Sequence, residues 1–330
     1  MRVNYIYLFK LFVKADVNGS NMKIIEDLKE ISSPFKNAVV TTGNFDGVHI
    51  GHQALFRQVI EKAESIDGTS VLVTFVPHPI RVVNSNKHFP IITRYDQKVE
   101  LIGETGVDTL ICIPFTREFA ATPARTFVKD ILCELIGMKV IVVGQDYSFG
   151  RKREGNVSLL KEMAVTHGFE VIISGWIELE GYRISSTEIR NLVTEGKVEE
   201  AEKLLGRHYQ VRGEVVRGRD RGAKLLGFPT ANLTLYDELC PKTGVYAVTV
   251  EHNSAQYKGV ANIGYSPTFK NGQFGVEVHI FDFDDTIYEQ PIRLNFVHRL
   301  RDEKKFSGPE SLAAQIKLDI EKARELLSGE

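Results

Sequence analysis

The sequence predicts two domains in tandem: an α/β domain built on a parallel sheet, then an all-β domain, a small antiparallel β-barrel with a terminal helix. Three observations carry that expectation. The chain has 330 residues, more than one hydrophobic core ordinarily organises. Up to Gly175 short apolar, β-branched runs alternate with amphipathic helical patterns, the signature of a parallel sheet covered by helices. Beyond Arg207 such runs follow one another with only Gly, Asn and Pro turns between them. The expected organisation is an extension over 1–21, the α/β domain over 22–185, a helical linker over 186–206 and the barrel domain over 207–330.

The leading stretch "MRVNYIYLFKLFVKADVNGSN" has an apolar patch, but Lys10 and Lys14 interrupt it and no small-residue cleavage site follows. It reads as a disordered extension or an over-called start codon, with Met22 a natural start for the first domain. Strands are then expected at "AVVTTG", "SVLVTFV", "DTLICIPF", "KVIVVG" and "FEVIISG". Between them "HQALFRQVIEKAES", "RYDQKVELIGETG" and "ARTFVKDILCELIG" have helical spacing, the last closed by Gly137. "STEIRNLVTEGKVEEAEKLLG" reads as two short helices, the second ended by Gly206. Five barrel strands follow in "QVRGEVVRG", "TGVYAVTVEH", "QYKGVANIG", "FGVEVHIFDF" and "QPIRLNFVHRL", and a last helix starts from a Ser307 cap with Glu310 three residues on.

Composition excludes several classes. Lys and Arg total 41 against 43 Asp and Glu, a net charge of -2, so no basic footprint for nucleic acid exists. No segment has the length and apolarity of a membrane span. Cys112, Cys133 and Cys240 are isolated and odd in number, which fits structural thiols in a reducing cytoplasm.

The stretch "GNFDGVHIGH" places His49 and His52 where the first expected strand passes into a helix. A helix start offers unpaired N–H groups and the positive end of the dipole; two imidazoles add donors, and Gly51 leaves the backbone open to a phosphate. Metal ligation or simple capping are the alternatives for an H-x-x-H pair taken alone. Around it "TFVPHP" puts His78 after the second strand, "GQDYSFG" follows the fourth, and "RISSTEIR" follows the fifth with Arg190 one turn into a helix. All four lie on one edge of the expected sheet, where ligands of such folds bind. Neither G-x-x-x-x-G-K-S/T nor G-x-G-x-x-G is present.

In order and content, "GNFDGVHIGHQ", "FVPHP", "GQDYSFG" and "ISSTEIR" resemble the Rossmann-like nucleotidyltransferase domain of the prokaryotic bifunctional riboflavin kinase/FMN adenylyltransferases, also called FAD synthetases. The resemblance implies that His49 and His52 stabilise the ATP phosphates while the FMN phosphate attacks the α-phosphorus and pyrophosphate leaves. It also implies ATP or phosphate contacts from Gly43, Asn44, Gly51, Asp146, Arg183, Ser186, Thr187 and Arg190, and flavin contacts from Phe75, His78, Pro79 and Tyr147. Tyr147 and Ser148 depart from the commoner Phe-Arg of the motif.

In the second domain "RGRDRGAKLLGFPTANL" is a basic, glycine-containing loop ending in neutral oxygen donors. Alone it reads equally well as a solvated basic turn. Glu277 alternates with Val276 and Val278, as an ordinary solvent-facing strand glutamate would. With "TGVYAV", "NIGYSPTF", "VEVHIFDF" and "LRDEKKF", however, these stretches resemble the riboflavin kinase module of the same family. That implies Mg2+ ligation by Thr230 and Asn232, phosphate contacts from Arg221 and Lys224, and Glu277 as general base toward the ribityl 5'-hydroxyl. Lys224 replaces the usual Arg and "DDTIYEQP" the usual D-L-Y-G turn. The expected ligands are riboflavin, FMN, FAD and Mg-ATP, with no permanently bound prosthetic group, no nucleic acid, no membrane, and a monomer or weak homo-oligomer.

Two rival readings stand against this. "IFDFDDT" mimics the D-x-D-x-T box of haloacid-dehalogenase phosphatases, with Asp282 as nucleophile, but the chain is too short beyond Thr286 for the rest of that core. A flavin- or nucleotide-binding protein without turnover is the other. His88, His167, His208, His252, His279 and His298 read as structural or surface residues.

Overall fold

The computed structural model describes residues 21–84, 89–179, 181–217, 228–235, 238–265 and 274–329. The chain divides into two compact units after Ser185.

In the first unit six strands, β1 (Lys23–Ile25), β2 (Ala38–Thr42), β3 (Ser70–Val76), β4 (Thr109–Pro114), β5 (Met138–Gly144) and β6 (Glu170–Ser174), form one sheet in the order β1-β4-β3-β2-β5-β6. Every neighbouring pair is parallel. Successive residues of a strand point to opposite faces, and both faces here are dry. Val40, Val71, Val73, Ile111 and Ile141 pack with Phe127, Leu132, Leu160 and Met163 on one side. Val39, Leu72, Leu110 and Val142 pack with Phe56, Val59, Val99 and Ile102 on the other. This is why the strands read as continuous apolar runs. The covering helices are α1 (Ile50–Ser65) and α2 (Tyr95–Gly103) on the second face, α3 (Val157–His167) and the segment Phe127–Leu135 on the first. Phe127–Leu135 was expected as an ordinary helix; it winds as a π-helix and turns Phe127, Val128 and Leu132 inward. From β2 the chain steps outward through β3 and β4, then returns to the other side of β2 for β5 and β6. The connections leaving β2 and β5 therefore diverge, opening a crevice beyond Thr42 and Gly144.

The second unit opens with α4 (Ser186–Glu195) and α5 (Val198–Leu205). Expected as a linker, these helices pack as part of the barrel's body: Val198, Ala201, Leu204 and Leu205 are buried, and Glu199 on α5 accepts from the Arg299 N–H at 3.2 Å. Six strands follow, β7 (Tyr209–Val216), β8 (Ala231–Thr234), β9 (Gly244–His252), β10 (Ala255–Tyr265), β11 (Phe274–Ile280) and β12 (Pro291–Arg301), and close in the order β7-β8-β11-β10-β9-β12 with antiparallel neighbours. Along β7 inward and outward positions alternate strictly. Five of these strands were expected; β8 was read as the end of a loop, since Pro229 and Asn232 disfavour a strand and only four residues pair. The last helix, α6 (Pro309–Leu326), lays Ala323 and the following Leu327 against Val245, Ala247, Val260 and Val297. It is capped at Gly308 rather than Ser307, because Pro309 takes the first helical position; Ser311 Oγ accepts from the Gly308 N–H at 3.3 Å. Asp282, the would-be phosphatase nucleophile, is occupied by a two-pronged ion pair with Arg324 of α6, at 2.8 and 2.9 Å.

A second ion pair ties α6 to β12. Arg301 Nε and Nη2 donate to the buried Asp319 carboxylate at 2.9 and 2.6 Å, and Gln315 Nε2 adds a donor at 2.9 Å. Asp319→Ala would leave a largely buried guanidinium unpaired, which costs about 3 kcal/mol. Denaturant unfolding followed on the barrel is expected to show that loss.

Candidate functional sites

The chain leaving β2 turns sharply before α1. Phe45, Gly47 and Val48 take left-handed φ values of 47°, 91° and 41°, a strained choice for a β-branched residue such as Val48. Burial and hydrogen bonds hold it. Phe45 and Val48 are 3 % and 1 % exposed, and the Phe45 ring meets His52 and Phe56 edge-on at 5.4 and 4.9 Å. The buried Asp46 carboxylate accepts from the N–H groups of Ile92 and Thr93 at 3.0 and 3.1 Å, and Thr93 Oγ1 accepts from the Gly47 N–H at 3.1 Å. The Asn44 carbonyl accepts from Lys98 Nζ at 2.8 Å and from Thr74 Oγ1 at 3.3 Å. Burial holds the Lys98 amine below the usual lysine range, opposed by the negative charge of Asp46.

This turn delivers His49 to the cap position of α1. Its Nδ1 accepts from the His52 N–H at 3.2 Å, so in the neutral ring the proton sits on Nε2. The two imidazoles stack at 3.6 Å with an interplanar angle of 16°. A Cβ on Gly51 would lie 3.1 Å from His49 Nδ1. Gly51 therefore makes room for the His49 ring.

Across the crevice the Tyr147 hydroxyl, following β5, hydrogen-bonds Thr42 Oγ1 at the end of β2, and its ring stacks on Phe149 at 5.1 Å. Burial pushes the phenol well above its usual range. Asp146 beside it is exposed and pairs with Arg183 at 3.1 Å, while the Arg183 guanidinium lies 3.3 Å over the Trp176 ring. His78 caps the short helix Pro79–Val83, its Nδ1 accepting from the Ile80 N–H at 3.3 Å. Phe75 joins Phe115, Phe119 and Phe127 in an aromatic cluster with centroids 5.6 to 6.5 Å from it. Gly43, Asn44, His49, His52 and Gly51 thus gather in one turn, and Asp146 meets Arg183. Ser186, Thr187 and Arg190 open α4 in the second unit, where Arg190 Nη1 donates to the Ser186 carbonyl at 3.1 Å.

Sequence reasoning passed over Asp46, Thr93, Lys98 and Trp176. Asp46 lay inside the quoted motif, and Trp176 is the chain's one tryptophan. Lys98 was legible only as a cation beside Val99 and Ile102 on an apolar helix face.

In the barrel, register builds the second site. Glu277 on β11 faces Asn232 on β8 and Asn262 on β10, so the three form a row across adjacent strands. Val276 and Val278 on either side are fully buried, which leaves Glu277 on the outward face. Asn232 is 5 % exposed and its Oδ1 has no hydrogen-bond partner among the described residues. A buried amide oxygen left so is costly, and the atom calls for a donor or a cation. Thr230 borders a cavity of about 230 Å3 together with Pro229, Phe283, Asp284, Asp285 and Tyr288. His279 Nδ1 reaches the Pro229 carbonyl at 2.8 Å and so pins the approach to Thr230. Arg221 and Lys224 lie outside the described residues. Among the described residues no group of three or more His, Cys, Asp or Glu side chains is placed to hold a metal ion, and no helix is long and apolar enough to cross a membrane.

Comparison with known proteins divides along the same line. Residues 31–188 match the FAD synthetase family and residues 205–327 the riboflavin kinase family. A bifunctional riboflavin kinase/FMN adenylyltransferase of Buchnera aphidicola subsp. Schizaphis graminum is 36% identical over 91% of this chain and 97% of its own. The protein of the same description from Escherichia coli K12 is 36% identical over 92% of this chain and 97% of its own. A crystal structure described as a macrolide-efflux protein from Streptococcus pneumoniae is 35% identical, covers 92% of this chain and 98% of its own, and superposes with a TM-score of 0.83.

The contact between Gly51 and the His49 ring gives a direct test. Gly51→Ala is expected to displace the imidazole from the α1 cap, costing about 1 kcal/mol of stability. The His49 and His52 ring resonances should shift in NMR spectra; unchanged resonances would show that the ring does not depend on the missing Cβ.

Proposed function

The chain belongs to the family of bifunctional riboflavin kinase/FMN adenylyltransferases, and from that premise we propose how its residues divide the two reactions. The enzyme phosphorylates riboflavin to FMN and adenylylates FMN to FAD, using ATP in both steps.

Adenylyl transfer is assigned to the turn after β2. An FMN phosphate oxygen attacks the α-phosphorus of ATP, the bond to the β-phosphate oxygen breaks, and pyrophosphate leaves. The observation that carries this assignment is the stacked His49–His52 pair at the N-terminus of α1. Helix N–H groups and the Nε2–H of His49 are donors suited to negative charge that shifts from the α- to the β-phosphate oxygens. Gly43, Asn44 and Gly51 shape the turn. Asp146 and Arg183 act at the nucleotide, and Ser186, Thr187 and Arg190 at its phosphates. Phe75, His78, Pro79 and Tyr147 supply the flavin surface.

Phosphoryl transfer is assigned to the barrel. The ribityl 5'-hydroxyl oxygen attacks the γ-phosphorus, Glu277 takes its proton, and ADP leaves. Thr230 and Asn232 would hold Mg2+, and the unpartnered Asn232 Oδ1 supports the fit of an oxygen-seeking cation there. Bound, that ion offsets the charge of the ATP phosphates. Arg221 and Lys224 would contact the same phosphates. The free thiols of Cys112, Cys133 and Cys240 fit a cytoplasmic enzyme, taken to act as a monomer or weak homo-oligomer without nucleic acid.

Incubating the protein with riboflavin and Mg-ATP and separating the flavins tests the whole scheme; FMN and FAD should appear in succession. His52→Ala is expected to lower FAD formation by about 100-fold or more while FMN formation continues. Loss of both products would refute two independent sites. Glu277→Gln should stop FMN formation yet still allow supplied FMN to become FAD, and a kinase that stays fully active would remove Glu277 from the mechanism.

A further inference from the structure

The turn that carries His49 has backbone bonds from the Val48 N–H to the Phe45 carbonyl at 3.2 Å and, to β3, from the Gly43 N–H to the Val73 carbonyl at 3.0 Å. Around its left-handed residues Phe45, Gly47 and Val48 the turn is also held from outside, at Asn44 by Lys98 and Thr74, and at Asp46 and Gly47 by Ile92 and Thr93. Most of these anchors come from one stretch, 92–98, which leads into α2. Lys98 is 6 % exposed and Asp46 2 %. Two opposite charges removed from water beneath a turn are often no more stable than well-packed apolar residues. A neutral hydroxyl, that of Thr74, already reaches the same carbonyl. The lysine adds a stronger donor to Asn44 and a counter-charge for the carboxylate that shapes the turn.

We propose that Lys98 is a positioning residue for adenylyl transfer, acting through the Asn44 carbonyl to hold His49 and His52 in place before the phosphates arrive. This rests on the assignment of adenylyl transfer to that turn. Lys98 does not touch substrate; its amine grips the first part of the turn from within the core, so ATP binding need not order the backbone. Losing it loosens the donors as charge develops, which lowers kcat more than it raises KM for FMN.

The test uses the full-length chain with Lys98→Met, and with Lys98→Met combined with Asp46→Asn. The double variant removes the uncompensated carboxylate that the single variant leaves behind. FAD formation from supplied FMN should lose about tenfold or more in kcat in both, the size expected for one charge-assisted hydrogen bond. KM for FMN should stay within about twofold, and FMN formation from riboflavin should be unchanged. The double variant should recover thermal stability without recovering rate. A Lys98→Met protein with the parent kcat overturns the proposal, as does a double variant whose rate returns together with its stability, which would make Lys98 a charge-balancing core residue only. Absence of FAD formation in the unsubstituted protein would refute the assignment of the site rather than the role of Lys98.

Discussion

Asp46 receives the N–H groups of Ile92 and Thr93 from inside the core, and the geometry of the first site descends from that contact. A carboxylate so buried cannot move without leaving amide donors unpaired, so the backbone on either side of it is committed to left-handed turns at Phe45 and Val48. Those turns set the angle at which the chain enters α1. That angle makes His49, rather than a serine or aspartate, the cap residue, and puts its ring over Gly51 and against His52. The strain is tolerated because Phe45 fills the space beside Phe56, tying the turn to the apolar face of the helix it starts.

The barrel reaches its site by another route. There the position of each polar side chain follows from ladder register, with no strained turn. Asn232, Glu277 and Asn262 share a row because β8, β11 and β10 are neighbours, and closure of the barrel fixes that row on both sides. A shift of one residue in β8 would carry Asn232 off the row and bring an apolar side chain onto it. The ion pairs of α6 with β12 and with Asp282 brace the wall from outside.

What the sequence disclosed follows from how local each signal is. The five longer strands of the sheet were legible because residues buried on both faces leave unbroken apolar runs, whereas β1 has three residues and no period to detect. β8 was hidden by Pro229 and Asn232, whose turn-forming habit outweighs a four-residue pairing. His49 and His52 stood out through motif and spacing, whereas Glu277 read as an ordinary strand glutamate until the stretches around it were seen to resemble a riboflavin kinase module. The groups that fix the site were out of view for a different reason: Thr93 and Lys98 lie some fifty residues from Asp46 and Asn44, and Asn262 meets Glu277 only through strand pairing. Trp176 lacked any pattern until Arg183 was seen to lie over it.

On the proposed assignment the two sites also differ as their nucleophiles require. The FMN phosphate loses its second proton near pH 6, so at neutral pH it is already an anion and needs no base to attack. What it needs is a surface of donors that lets one anion approach another, and the turn after β2 offers imidazole and helix N–H groups while the turn's own carboxylate, Asp46, is held inside the core. The ribityl hydroxyl is neutral and must give up a proton as it attacks, so a carboxylate belongs beside it, with a cation to keep that carboxylate and the ATP phosphates from repelling each other. Glu277 facing Asn232, whose buried amide oxygen has no partner among the described residues, suits the proposed arrangement. One pocket could not serve both reactions well: the charge that draws a proton from the alcohol would repel the phosphate that the alcohol becomes.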